Sequence, residues 1–151
     1  MNHTRIIHSI SEKLFESYNL TIQLEKKELE ASQFKDLNIK DLHTIRMIGS
    51  NKNLTITEIA KQLCLTKATL TSTIDKLESH GYVLRERNPK DRRIINIILT
   101  KKGRLLYKLY NKRNKEYMTN LLKETSMSEL TDLDKKLDSF VKYLKVENDK
   151  K

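Results

Sequence analysis

Thr66, Lys67, Thr69, Thr71, Ser72, Thr73 and Lys76 fall close together in this 151-residue sequence, and Lys90-Asp91-Arg92-Arg93 follows soon after. The first group sets hydroxyls beside ammonium groups at helical spacing, and no acid interrupts it before Asp75. Ser and Thr pair with several base edges, and Thr methyls touch thymine methyls. Lys and Arg neutralise phosphates. The second group follows Asn88-Pro89, a turn start in which Asn favours the first position and Pro presets the second. Arg92 and Arg93 then project from a hairpin tip, with Asp91 placed to orient one of them. A basic tip of this kind enters a minor groove, where negative potential attracts Arg. Plain alternatives are a helix surface filled with Thr and Ser and an ordinary solvated hairpin. The poor helix propensity of Thr and Ser argues against filler.

Two short helices and a hairpin must position these groups. Thr66 caps a helix that buries Leu70, Ile74 and Leu77 and stops at Gly81, where a left-handed residue carries no steric penalty. The helix before it opens on Thr55 and Glu58 in capping-box spacing and turns Ile56, Ile59, Ala60 and Leu63 inward. Asn38 and Asp41 repeat that spacing for an earlier helix with Ile39, Leu42, Ile45 and Ile48 inside and Gly49 at its end. Residues 82–87 and 94–99 read as paired strands, with Ile95, Ile97 and Leu99 alternating toward the core.

Long helices flank this lobe. Over residues 4–30, Ile7, Ile10, Leu14, Tyr18, Ile22 and Leu29 share a face that Glu25 interrupts, and Ile6, Phe15, Leu20 and Leu24 widen it. Thr100 caps a fifth helix to about residue 123, carrying Leu105, Leu106, Leu109, Tyr110, Tyr117, Leu121 and Leu122. A sixth, capped by Ser126 or Ser128, presents Leu130, Leu133, Leu137, Phe140, Val141 and Leu144, and residues 145–151 read as a frayed tail. A helix apolar on more than one face needs more than one packing partner, and in a chain this short a second subunit supplies it. The expected fold is mainly α (α+β): a winged helix-turn-helix of about six helices and a two-stranded β-hairpin wing.

Charge supports the same reading. Between Gly81 and Lys115 stand 12 Lys or Arg against Glu86 and Asp91; subtracting these from 30 basic and 20 acidic residues leaves 18 of each elsewhere. The net charge of +10 therefore lies in the wing and the helix after it, as a polyanion-facing surface requires. Met1 to Ile10 shows no signal-peptide pattern, and no run approaches the roughly 18 apolar residues of a membrane span. A single cysteine, Cys64, excludes an intrachain disulfide. The expectation is a cytoplasmic protein, nucleoid-associated when bound to DNA, with no membrane partner.

The runs Leu54-Thr55-Ile56-Thr57-Glu58-Ile59-Ala60, Leu77-Glu78, Gly81-Tyr82-Val83, Asp91-Arg92-Arg93 and Leu99-Thr100-Lys101-Lys102-Gly103 resemble the MarR family of bacterial regulators. The resemblance implies one MarR-type domain over residues 1–151, with dimerisation helices at 1–31 and 101–145 and a DNA-binding lobe at 38–100. It also implies a homodimer on double-stranded DNA carrying an inverted-repeat operator, usually as a repressor. Residues 34–45 and 99–105 are further similar to the FabT-type branch, repressors of fatty-acid biosynthesis genes that bind DNA more tightly with long-chain acyl groups on acyl carrier protein. That resemblance implies an apolar ligand site, with Phe15, Ile22, His43, Met47 and Tyr107 as candidate lining residues, and an acidic carrier protein as co-repressor for part of the basic fifth helix.

Other readings are a regulator of the same family answering an aromatic or phenolic ligand, a metal or an oxidant, and an effector-independent DNA-binding protein. Cys64 lies between apolar Leu63 and Leu65, as a buried, inert thiol does. His3, His8, His43 and His80 are scattered and match no zinc spacing, so no metal or cofactor is expected. No glycine-rich phosphate loop or paired-carboxylate constellation suggests an enzyme.

Overall fold

Three helices open on reciprocal side-chain caps, so their starts are dictated by neighbours three residues apart. The computed structural model describes residues 2–150 and orders them as α1 (His3–Glu30), α2 (Ile39–Ser50), α3 (Ile56–Gln62), α4 (Lys67–Ser79), β1 (Val83–Arg87), β2 (Ile95–Leu99), α5 (Lys101–Leu122) and α6 (Met127–Asp149). Asn38 with Asp41, Thr55 with Glu58 and Ser126 with Glu129 each form a complete capping box. Thr66 accepts from the Thr69 amide, and the Thr100 hydroxyl accepts from that of Gly103. Each satisfies amides that would otherwise be orphaned at a helix start.

The chain divides into two compact units, residues 1–108 and 109–151. The first holds the core: Leu42, Ile45 and Ile48 of α2, Ile59 and Ala60 of α3, Leu70, Ile74 and Leu77 of α4, and Tyr82, Val83, Ile97 and Leu99 around the hairpin. Strands β1 and β2 pair antiparallel from Val83 opposite Leu99 to Arg87 opposite Ile95. Leu54 forms a bridge on the far side of β2, accepting from the Ile97 amide at 2.8 Å. Ile97 is therefore gripped from both edges. The second unit contains the rest of α5 and α6, and no described residue of α6 is buried. Leu133, Leu137, Phe140, Val141 and Leu144 are all exposed, as are Ile7, Ile10, Leu14, Phe15 and Tyr18 of α1. Among the described residues no helix is long and apolar enough to cross a membrane.

Three details depart from the sequence expectation. Gly49 lies inside α2, which continues to Ser50; a Cβ there would stand 2.5 Å from the Tyr107 ring, so glycine serves close approach rather than termination. Ile95 is 44% exposed, because it pairs with Arg87 at the tip end of the ladder, beyond the core, while Asn96 beside it is buried. Residues 145–149 continue α6, with Lys150 paired to Glu147 at 2.6 Å, and Lys151 lies outside the described residues. Of the two serines that could cap that helix, Ser126 does so. Gly81 behaves as expected, with φ +77° just past α4.

The end of α4 is tied down by a small polar cluster. Asp36 accepts from Tyr82 Oη at 2.9 Å and sits 2.8 Å from His80 Nδ1, and Lys102 Nζ lies 4.1 Å above the Tyr82 ring. Burial pushes the Asp36 carboxyl up, but the hydrogen bonds from His80 and Tyr82 outweigh it and hold the group below its ordinary range. Burial and the Asp36 charge push the Tyr82 hydroxyl far above its usual value, so it stays a donor.

A depressed folded-state pKa gives stability that is complete above the unfolded value, about 4, and is lost as pH falls through the folded one. Asp36→Asn is accordingly expected to cost about 1 kcal/mol at neutral pH, discounted for partial exposure, with the gap to the wild type closing below about pH 4 in urea titrations. Gly49→Ala is expected to destabilise by about 1–3 kcal/mol through overpacking against Tyr107. This should appear as a lower urea midpoint at unchanged slope, although Ala is the better helix former.

Candidate nucleic-acid interface

Helix α4 presents its first two turns outward because its second half is held from within. Lys76 Nζ donates to Asp41 Oδ2 at 2.5 Å, and Asp41 is 1% exposed. Thr73 is 4% exposed and its hydroxyl donates to the Thr69 carbonyl at 3.1 Å. The sequence reading set both residues on the outer face; the structure turns Thr73 into the core and ties Lys76 to α2. The remaining positions stand at the surface. Lys67 and Ser72 are exposed, Thr69 and Thr71 half-buried, and no acid occupies the first turn.

Hydroxyl bonding within α4 narrows what each group offers. Thr66 Oγ1 donates to Thr69 Oγ1 at 2.8 Å while accepting the Thr69 amide. Thr71 Oγ1 donates to the Lys67 carbonyl at 2.8 Å. With its proton so engaged, Thr71 turns outward only acceptor capacity and a methyl group, chemistry suited to a base amino group or a thymine methyl.

The hairpin tip is built by two side-chain turns. Asn88 Oδ1 accepts the amides of Lys90 at 2.9 Å and Asp91 at 3.3 Å, and the Asn88 amide closes onto the Ile94 carbonyl at 2.9 Å. Asp91 then accepts from Arg93 three times: the amide at 3.0 Å, Nε at 3.1 Å and Nη2 at 3.0 Å. Those hydrogen bonds hold the Asp91 carboxyl below and the Arg93 guanidinium above their ordinary ranges. Arg93 is nonetheless 91% exposed, so it is aimed by Asp91 without being covered. The side chains of Lys90 and Arg92 are exposed and have no hydrogen-bond or ion-pair partner among the described residues. The expected orientation of one arginine by Asp91 is thus realised at Arg93, and Arg92 is the arginine of the tip that Asp91 leaves free.

Arg85 escaped the sequence reading. Its Nη2 lies 2.6 Å from Asp75 Oδ1, its Nη1 pairs with Glu78 Oε2, and its amide donates to Glu78 Oε1 at 3.2 Å. The Asp75 bond leads in raising the guanidinium pKa. The available signal was Asp75 and Glu78 three residues apart on one helix face, spacing that suits a forked partner.

The proposed ligand-lining residues come only partly together. His43 Nε2 meets the buried Glu25 Oε2 at 2.8 Å, joining the stretches that carry Ile22 and Met47. Tyr107 packs on Gly49 at the other end of α2, 3.3 Å from Ser50 Oγ. It also lines a cleft of about 300 Å³ with Ile48, Ile97, Leu99, Arg104 and Lys108. Phe15 is 67% exposed. Cys64 is exposed with φ +53°, not buried as expected, because the chain turns there between α3 and α4. Among the described residues no group of His, Cys, Asp and Glu is arranged to hold a metal.

Comparison with known proteins gives this geometry a context. Residues 37–95 match the family model described as MarR family. The chain is 33% identical to Streptococcus pneumoniae FabT, solved in complex with DNA, over 92% of this chain and 97% of that one, with a TM-score of 0.83. It is 31% identical to the HTH-type transcriptional regulator SarZ of Staphylococcus saprophyticus over 70% of this chain and 71% of the relative. It is 26% identical to the HTH-type regulator YhjH of Bacillus subtilis over 60% of this chain, a match that spans about half of that relative, 52%.

The geometry separates two variants. Arg93→Ala is expected to weaken binding to all duplexes about tenfold and lower the salt slope by about one, whereas Thr71→Ala mainly relaxes sequence preference. Anisotropy titrations on a selected duplex and on random duplex at several salt concentrations check both. An unchanged slope for Arg93→Ala would remove the wing from the interface.

Proposed function

Because this chain belongs to the MarR family of transcriptional regulators, we propose that it works as a homodimeric repressor of fatty-acid biosynthesis genes whose hold on DNA is tightened by long-chain acyl groups on acyl carrier protein. The observation that carries the DNA-reading part is the pairing of an outward-facing, acid-free first half of α4 with the Asp91-aimed arginine of the wing. In this reading Thr66, Lys67, Thr69, Thr71 and Ser72 meet one major groove, and Lys90, Arg92 and Arg93 the neighbouring minor groove and phosphates.

Dimerisation follows from the apolar rows that α1 and α6 leave exposed. A monomer rarely leaves apolar rows of this length uncovered on a helix. A second copy covers it and places two recognition helices roughly 34 Å apart, which calls for an inverted-repeat operator. The fatty-acid assignment is supported by the likeness to FabT along nearly the whole chain. The acyl site is read as the region of Ile22, His43, Met47 and Tyr107, with Phe15 closing it in the dimer. A ligand there acts only through a difference in affinity between DNA-competent and other states.

The test is a gel-shift titration on the promoter of a fatty-acid biosynthesis operon, with and without long-chain acyl carrier protein. Acyl carrier protein is expected to tighten binding about tenfold or more, equivalent to at least about 1.4 kcal/mol of coupling. Operator binding that ignores it would eliminate the acyl reading and leave the regulator.

A further inference from the structure

The wing's core contacts end well short of its tip. In β1, Val83 is buried; beyond Arg85, Glu86 and Arg87 are exposed, and so are Pro89, Lys90, Arg92, Arg93, Ile94 and Ile95. Apolar packing therefore sets the base of the hairpin and leaves the direction of its far half undetermined. One side chain spans the gap. Arg85 stands opposite Ile97, the residue that Leu54 grips from the other edge, and its guanidinium reaches across to α4. There it holds Asp75 at 2.6 Å and Glu78 in a forked pair, with its own amide on Glu78 as well.

We propose that Arg85 is a positioning residue that sets the angle of the wing against the recognition helix, so that Arg93 and the outer face of α4 engage DNA as one rigid unit. The inference rests on the DNA-reading function above. Both terminal nitrogens of Arg85 are committed to carboxylates of α4 and its side chain is only 28% exposed, so its charge is directed at the helix and not at an incoming phosphate. Forked arginine–carboxylate pairing fixes direction as well as distance, which a lysine ammonium does not. The pairing also offsets part of the negative charge of Asp75 and Glu78, the two acids of α4, which would otherwise repel phosphate. Partly exposed ion pairs add little to stability, and the apolar core carries the fold, so removing this one should leave a folded protein.

The test is a double-mutant cycle on the full-length protein. Its probe is a duplex that the wild type has selected from a randomised library, and affinities are read by anisotropy at several salt concentrations. In the wild-type background Arg93→Ala should cost about tenfold; in an Arg85→Met background it should cost less than about twofold, since the wing is no longer aimed. Arg85→Lys should restore only part of the coupling, because it returns the charge without the fork. Asp75→Ala with Glu78→Ala removes the partners, leaves Arg85 in place, and should abolish the coupling too. This second route keeps the idea testable if Arg85→Met folds poorly. An equal cost for Arg93→Ala in all backgrounds overturns the proposal while leaving the DNA-reading function intact. No cost in the wild type overturns both, because the wing would then not grip DNA at all.

Discussion

Asp41 performs two tasks with one carboxylate. Its Oδ2 accepts the Asn38 amide at 2.9 Å, closing the capping box that starts α2, and the same oxygen takes Lys76 Nζ of α4 at 2.5 Å. A buried charge is tolerated only when paired and hydrogen-bonded. The cap and the ion pair therefore depend on each other, and together they fix where the recognition helix lies on the core. The free first half of α4, the Asp36 cluster at its end and the Arg85 fork all take their positions from that anchor. Lys76 illustrates the division of labour: it is a cation on the helix that meets DNA in the proposed function, yet it looks inward.

What could be read in the sequence was what is decided over a few residues. Capping boxes at Asn38 and Thr55, the left-handed stop at Gly81 and the Asn88-Pro89 turn are settled by neighbours within a few positions, and each is present in the structure. Several of the departures share the opposite property. Gly49 is explained by Tyr107, Lys76 by Asp41 thirty-five residues away, and the exposure of Ile95 by how far the core extends along the hairpin. Thr73 fell to helix periodicity read without its packing partners: a hydroxyl residue was assigned to the surface by type, although an i−4 bond to Thr69 lets it enter the core.

The charge excess, a single quantity in the sequence, separates into distinct roles. Arg85 is spent on α4, Arg93 is held but displayed, Lys102 donates to the His80 carbonyl at 3.0 Å and covers Tyr82, and Lys112 faces Glu116. Lys90 and Arg92 remain uncommitted at the tip, while Arg104 and Lys108 border the cleft beside Tyr107. A count of basic residues therefore overstates the number ready to meet phosphate.

Cys64 turns the corner from α3 to α4 in the left-handed region, exposed, two residues before the threonine that caps the recognition helix. It is the chain's one thiol. The molecule thus carries its own attachment point for a fluorophore at the edge of the surface proposed to meet DNA. A dye coupled there labels each chain once, needs no engineered cysteine, and sits where the departure of water on complex formation changes its emission. The helix-turn-helix can in this way be watched directly, at a position that no ligand-lining residue occupies.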